Sequence, residues 1–192
     1  SLYDKNYEYL IANFSNARVL EDEADYLGFE AYEEDRGWKI MPANEPWNLY
    51  LNSSMAHTGK KSLKLSSLTT GNNALEKTFI PTTQDTKYLF TFWYKTLKGF
   101  SQNGEEAGCK MTLSQNEAEL HTIFLPFEAT EEEWSYITQA IDLTPYASNG
   151  ITEISISLFN RTSHDAFLDD LRFSPFLGDF SASVYNQSYG MT

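Results

Sequence analysis

The chain has 192 residues, enough for one domain with a sizeable core. A net charge of -13 and a pI near 4.5 argue against nucleic acid and anionic membranes as partners. They suit a divalent cation or a neutral ligand such as a sugar. Aromatic residues make up 15% of the chain, so many of its Tyr and Trp side chains need a hydrogen-bond partner or a place at the surface. The single Cys109 excludes an internal disulfide and reads as a small buried apolar residue rather than a reactive thiol. No apolar run is long enough to span a membrane, so no membrane insertion is expected. With neither an initiator Met nor a signal peptide at Ser1, a piece of a longer protein is expected.

In chain order, Tyr7 to Phe14 reads as one strand. Glu21, Asp22, Glu23 and Asp25 read as a solvated acidic loop or helix face, with part of a cation site as the alternative. Gly28-Phe29-Glu30 sends Phe29 to the core and Glu30 the other way. Residues Pro42 to Asn52 are loop-like and carry Trp47 and Tyr50, which need not be in the core. Residues Ala56 to Ser66 are a turn feeding a strand, with Leu63 and Leu65 inward. Gly71-Asn72-Asn73 reads as a turn, and Ala74 to Ile80 as a strand ended by Pro81.

Tyr88 to Lys95 gives the strongest strand signal. Tyr88, Phe90, Phe92 and Tyr94 share one face, while Leu89, Thr91, Trp93 and Lys95 share the other. Further strands are read over Cys109 to Ser114, His121 to Leu125, Trp134 to Leu143 and Ile151 to Phe159. In the last of these Ile154, Ile156 and Leu158 face inward, and Ser155, Ser157 and Phe159 outward. Residues Ala166 to Phe173 close the series with two adjacent carboxylates in an apolar strand. Simple alternation sends Asp169 and Asp170 to opposite faces, so one meets the packed interior and needs a cation, hydrogen-bond donors or a raised pKa.

About ten short strands, turn signals every 8–12 residues or so and no amphipathic helix make the chain all-β, an antiparallel β-sandwich. Residues 26–178 form the sandwich, 1–25 a leading strand and acidic loop packed on it, and 179–192 a tail.

Gly28-Phe29-Glu30, Gly37-Trp38, His57-Thr58-Gly59-Lys60-Lys61-Ser62-Leu63, Phe92-Trp93-Tyr94-Lys95, Trp134 ahead of Ile141-Asp142-Leu143, and Leu168-Asp169-Asp170-Leu171 occur in that order. This order resembles jelly-roll carbohydrate-binding modules with the galactose-binding-like fold. The resemblance implies a structural calcium held by the side chains of Glu30 and Asp169, with the segment from His57 through Lys60 to Lys61 offering backbone carbonyls. The alternative is that Glu30 pairs with Lys60 or Lys61 without a metal. Asp170 is expected to be solvated or ion-paired. The tail from Phe180, with Tyr185-Asn186 and Gly190, resembles the opening of a YD-repeat of RHS-type exported bacterial proteins, with Asn where the repeat has Asp. That resemblance implies flanking repeats as partners and a place outside the bacterial cell or on its surface.

No nucleophile elbow, zinc pattern, phosphate loop or basic stripe is present, and the chain is read as non-enzymatic. The expected ligand is a glycan or polysaccharide, held by aromatic faces framed with polar side chains. Candidate residues are Trp93, Lys95, Thr112, Ser114, Gln139, Ser157 and Phe159, which share a face if their strands share a sheet. Trp47 and Tyr50, with Trp38, are a second candidate platform. Core or edge packing is the bland expectation for Trp38 and Trp134. The competing functions are a spacer or interaction module without sugar binding and, third, a glycan-active enzyme.

Overall fold

The computed structural model describes residues 1–3, 10–14, 23–65, 73–82, 86–146, 150–183, 185–186 and 190–191. The expected strand at Tyr7 is therefore described only from Leu10. The turn at Gly71-Asn72, the acidic residues Glu21 and Asp22, and much of the YD-like tail lie outside the described residues. In chain order the strands are β1 (Leu2–Tyr3), β2 (Leu10–Phe14), β3 (Asp25–Leu27), β4 (Lys39–Met41), β5 (Glu45–Pro46), β6 (Leu51–Asn52), β7 (Ser62–Lys64) and β8 (Ala74–Phe79). They continue with β9 (Lys87–Thr96), β10 (Ala107–Gln115), β11 (Ala118–Pro126), β12 (Ser135–Asp142), β13 (Glu153–Asn160), β14 (Ala166–Pro175), β15 (Phe180–Ala182), β16 (Tyr185–Asn186) and β17 (Gly190–Met191). The helical segments described are single 3-10 turns at Trp47–Tyr50 and Thr144–Tyr146. Among the described residues no helix is long and apolar enough to cross a membrane.

Two antiparallel sheets face each other as a jelly-roll sandwich. One has the order β11-β10-β13-β8-β4-β5 and the other β12-β9-β14-β7-β6, with β3 also paired to β14. Alternation explains the split of each strand into a core face and an outer face. Tyr88, Phe90, Phe92 and Tyr94 of β9 are buried, as are Ile154, Ile156 and Leu158 of β13 and Met111 and Leu113 of β10. Across the sandwich Phe79 of β8 stacks on Phe173 of β14 at 3.9 Å, and Tyr88 is also stacked with Phe173, at 5.3 Å. Cys109 is buried in this core, where burial pushes its thiol well above the usual range.

Strand β14 changes neighbours along its length. Phe167 and Leu168 pair with β7, whereas Leu171, Arg172 and Phe173 pair with β3. Asp169 opposes Trp93 and Arg172 opposes Thr91, so β14 has one residue more than β9 between those pairs. The extra residue is accommodated as a β-bulge, with Asp170 at φ 49 in the left-handed region. A bulge breaks alternation, which is why the two carboxylates do not point to opposite faces as strict alternation requires.

The chain's ends form a third, small sheet, in the order β1-β2-β15. Its own apolar cluster contains Leu2, Ile11, Ala12, Phe14, Ala24 and Tyr26, with Phe180 packed against it. The acidic stretch before β3 is not solvated where it is described, because Glu23 and Asp25 are both buried. Asp25 accepts hydrogen bonds from the Lys77 ammonium at 2.8 Å and the Trp38 indole N–H at 3.0 Å. Removing one member of a buried ion pair strands the other charge away from water. Asp25→Asn is therefore expected to lower the unfolding free energy by about 3–5 kcal/mol. Chemical denaturation of the variant beside the parent checks this, and an unchanged midpoint would contradict it.

Candidate functional site

The β-bulge organises the site. Asp169 is fully buried although it lies on the outer face of β14 opposite Trp93, because the segment 57–61 folds over it. Its Oδ2 accepts the backbone N–H groups of His57 at 2.7 Å and Thr58 at 3.2 Å, and its Oδ1 accepts that of Asp170 at 2.9 Å. Asp170 meets the same segment through side chains. Its Oδ1 accepts the hydroxyls of Tyr26 at 2.6 Å and Thr58 at 2.8 Å, and its Oδ2 lies 2.8 Å from Nδ1 of His57. Asp170 is thus the ion-pair partner of His57 when the imidazole is protonated. Farther along, Glu30 Oε1 accepts the backbone N–H groups of Lys60 at 2.6 Å and Lys61 at 3.0 Å. The expected meeting of Glu30 with Lys60 and Lys61 thus runs through main-chain amides, not ammonium groups.

This loop positions an aromatic wall. The His57 imidazole stacks on Trp93 at 3.9 Å with 17° between the planes, and Trp134 meets its edge at 5.8 Å. On the neighbouring strand, Tyr136 lies opposite Trp93 at 5.0 Å and is 49% exposed. The wall bounds an open cleft of about 450 Å³, which Phe180 and Ala182 of β15 also line. Polar groups at the cleft are Thr58, Thr91, Asp170 and Arg172. Arg172 stacks on Phe180 at 4.3 Å and donates to the Ser174 hydroxyl from Nε at 3.2 Å. Burial lowers its pKa, which the nearby Tyr136 opposes.

Behind the cleft lies a cluster of buried acids. Glu33 accepts the backbone N–H groups of Gly28 at 2.9 Å and Glu30 at 3.1 Å. Burial pushes its carboxyl up to about 8, against the pull of the Arg36 charge and of those two amides. Asp169 is raised as well, by burial and then by the charge of Asp170, with three amide donors acting in the opposite direction. Tyr26 is held far above the ordinary phenol range by burial and by the charges of Asp170 and Glu33. Gly28 lies tight against this cluster, since a Cβ there would sit 3.0 Å from the Tyr26 hydroxyl oxygen.

The residues expected to form one binding face are divided. Trp93 and Lys95 share the outer face of β9, with Trp93 in the cleft wall and Lys95 opposite Phe167. Gln139 opposes Phe90 across the β9–β12 ladder and so lies on the core side of that sheet, not beside Trp93. Thr112 and Ser114 of β10 and Ser157 and Phe159 of β13 belong to the other sheet. Thr112, Ser157 and Phe159 line a separate groove of about 420 Å³ with Glu76, Lys110 and Ser155. Phe159 is not an open platform there, because the Arg161 guanidinium covers its ring at 4.5 Å. The expected second platform is also absent. Trp47 is 1% exposed and meets Phe29 edge-on in the core, and the Tyr50 hydroxyl is hydrogen-bonded to Glu45. Trp38 is core, as expected of it, while Trp134 is half-buried beside His57.

Calcium takes hard oxygen ligands from distant segments, and Glu30 and Asp169 supply two. The segment 57–61 turns amide N–H groups toward those two carboxylates. Carbonyl ligands from His57 and Lys60 require peptides there to turn over, so the fit of this arrangement to a cation is partial. Among the described residues no cluster of three or more His, Cys, Asp or Glu is placed to hold a metal.

No protein-family model and no curated protein matches the chain. Solved structures similar to it include the CBM22-1 xylan-binding domain of Paenibacillus barcinonensis Xyn10C, with TM-score 0.48, 14% identity and coverage of 78% of this chain and 92% of that one. The C-terminal family 22 carbohydrate-binding module of Clostridium thermocellum Xyn10B gives TM-score 0.48 and 12% identity over 81% of this chain and 95% of that one. The K2 cleaved adhesin domain of Lys-gingipain gives 0.43 and 15% over 79% and 99%. At these values the likeness carries no functional argument, and function has to come from the cleft.

The buried acids make stability depend on pH. Glu33 and Asp169 bind a proton more readily folded than unfolded, where carboxyl groups titrate near about 4. Their contribution is complete below that value and is lost as pH rises, for Glu33 through about 8. Glu33→Gln keeps an acceptor for the Gly28 and Glu30 amides and removes the charge. Urea unfolding across pH 4–8 should show stability falling with pH in the parent and a flatter profile in the variant. Parallel profiles would contradict this account.

Proposed function

We propose that the chain is a non-catalytic carbohydrate-binding module that takes a glycan in the Trp93 cleft. The observation that carries this reading is the wall itself. Trp93 and Tyr136 stand side by side with Trp93 backed by the His57 ring, and Thr58, Thr91, Asp170 and Arg172 are within the same cleft. Sugars pack their C–H faces on such rings while their hydroxyls bond to polar groups at the edge. His57 spends its Nδ1 on Asp170 and its ring face on Trp93, an arrangement that builds a wall rather than activates a nucleophile.

A spacer or interaction module is the second reading. One observation favours it: the imidazole occupies one face of Trp93, so that face is not open to a sugar. The two are separated by a glycan array with the parent and Trp93→Ala. Carbohydrate binding predicts array signal for the parent, weakened about thirtyfold or more in the variant at an unchanged melting temperature. An empty array for the parent supports the spacer.

The proposal extends to setting and metal. A place outside the bacterial cell, flanked by YD-type repeats, is supported by the resemblance of the tail. A structural calcium at Glu30 and Asp169, with carbonyls from His57 and Lys60, is supported by two buried carboxylates facing one loop. Its test is a thermal melt with and without chelator. A bound ion adds stability by mass action, so chelation should lower Tm by several degrees or so. An unchanged melt overturns the calcium proposal and leaves the amide-bonded loop as the complete structure.

A further inference from the structure

The cleft is lined by one carboxylate, Asp170, and one guanidinium, Arg172, and the two are not paired with each other. Asp170 is met by three donors: the Tyr26 hydroxyl, the Thr58 hydroxyl and His57 Nδ1. Arg172, which lines the same cleft, is met by no carboxylate among the described residues. Its hydrogen bonds go to the Ser174 hydroxyl and, at 3.5 Å, to the Gly178 carbonyl. Its guanidinium carbon lies over the Phe180 ring at 4.3 Å from the centroid, and this contact, with the Ser174 and Gly178 bonds, positions the fork before any ligand arrives. Lys95, two residues from Trp93 on the same face of β9, likewise has no ion-pair partner among the described residues. A chain of net charge -13 that leaves a half-buried arginine unpaired beside an aromatic wall keeps a cation where an anion can reach it.

We infer that the cleft selects a carboxylate-bearing sugar, a uronic acid or another acidic saccharide, with the carboxylate on Arg172 and the ring against Trp93 and Tyr136. The inference rests on the carbohydrate-binding reading and adds the ligand class to it. A planar guanidinium pairs with a carboxylate through two parallel N–H···O bonds, a geometry that a hydroxyl cannot match. The ring orientation follows from the charges, since Asp170 repels the carboxylate and accepts from ring hydroxyls.

The test is calorimetric titration of a panel in which each acidic oligosaccharide is paired with its methyl ester or neutral counterpart. The parent should bind an acidic member about tenfold or more tighter than its partner, consistent with a charge-assisted hydrogen bond. Raising salt should narrow that preference. Arg172→Gln should erase the preference, cutting affinity for the acidic member about tenfold more than affinity for its neutral partner. Arg172→Lys, which keeps the charge, should retain part of the preference, and it decides the matter if the glutamine variant melts lower. Equal or better binding of the neutral member by the parent overturns the acidic-sugar inference and leaves carbohydrate binding intact. Binding of no member overturns both.

Discussion

The structure turns on one β-bulge and the loop it holds. Asp169 and Asp170 lie more than a hundred residues from His57 and Thr58 in sequence, and their carboxylates bond to both. One carboxylate takes backbone amides and the other takes side chains, so the loop is fixed in position and its imidazole in rotation. That constraint sets His57 on Trp93 and thereby builds the wall of the cleft. Without the extra residue in β14, the second carboxylate would face the core, where β14 carries Leu168, Leu171 and Phe173. The bulge also coincides with the place where β14 exchanges β7 for β3 as its neighbour. The same irregularity that ends one ladder therefore opens the space the loop fills.

Holding acids inside a protein of this charge has a cost. Glu33 and Asp169 favour the proton because burial penalises their charge, and amide donors offset only part of that penalty. Tyr26 links these acids to Asp170 through its hydroxyl and to the small terminal sheet through its ring, which packs on Phe180 at 5.4 Å. The terminal strands are thus coupled to the cleft: β15 lines it with Phe180 and Ala182, and Phe180 rests on Tyr26, which anchors Asp170. Elsewhere the acidity is neutralised locally, as where Asp25 is buried against Lys77 and Trp38.

Alternation made much of the sandwich readable before the structure. The apolar faces of β9 and β13 are visible as every second residue, and the cores they form are where those residues place them. Trp93 was legible as an outward aromatic for the same reason. What alternation could not supply was which strands share a sheet. Ser157 and Phe159 have the same outward pattern as Trp93, but β13 pairs with β10 and β8, so they face away on the other side of the molecule. Gln139 needed the register of β12 against β9, and Trp47 needed the packing of a short 3-10 turn. The bulge carries no composition signal at all, because Asp-Asp in a strand looks the same with and without it. His57, Tyr136, Asp170, Arg172 and Tyr26 were therefore missed as a group. The one available hint was a pair of acids in an apolar strand, which required some partner.

The central claim is that the bulge carboxylates hold the loop that makes the cleft. Amide hydrogen exchange at His57 and Thr58, followed by NMR in the parent and in Asp169→Ala, tests it most directly. The account predicts slow exchange at both amides in the parent and fast exchange in the variant, with the amides of Phe90 and Phe92 in β9 still protected. Equal protection of His57 and Thr58 in the two proteins would show that the loop stands without the carboxylate, and the account would be wrong.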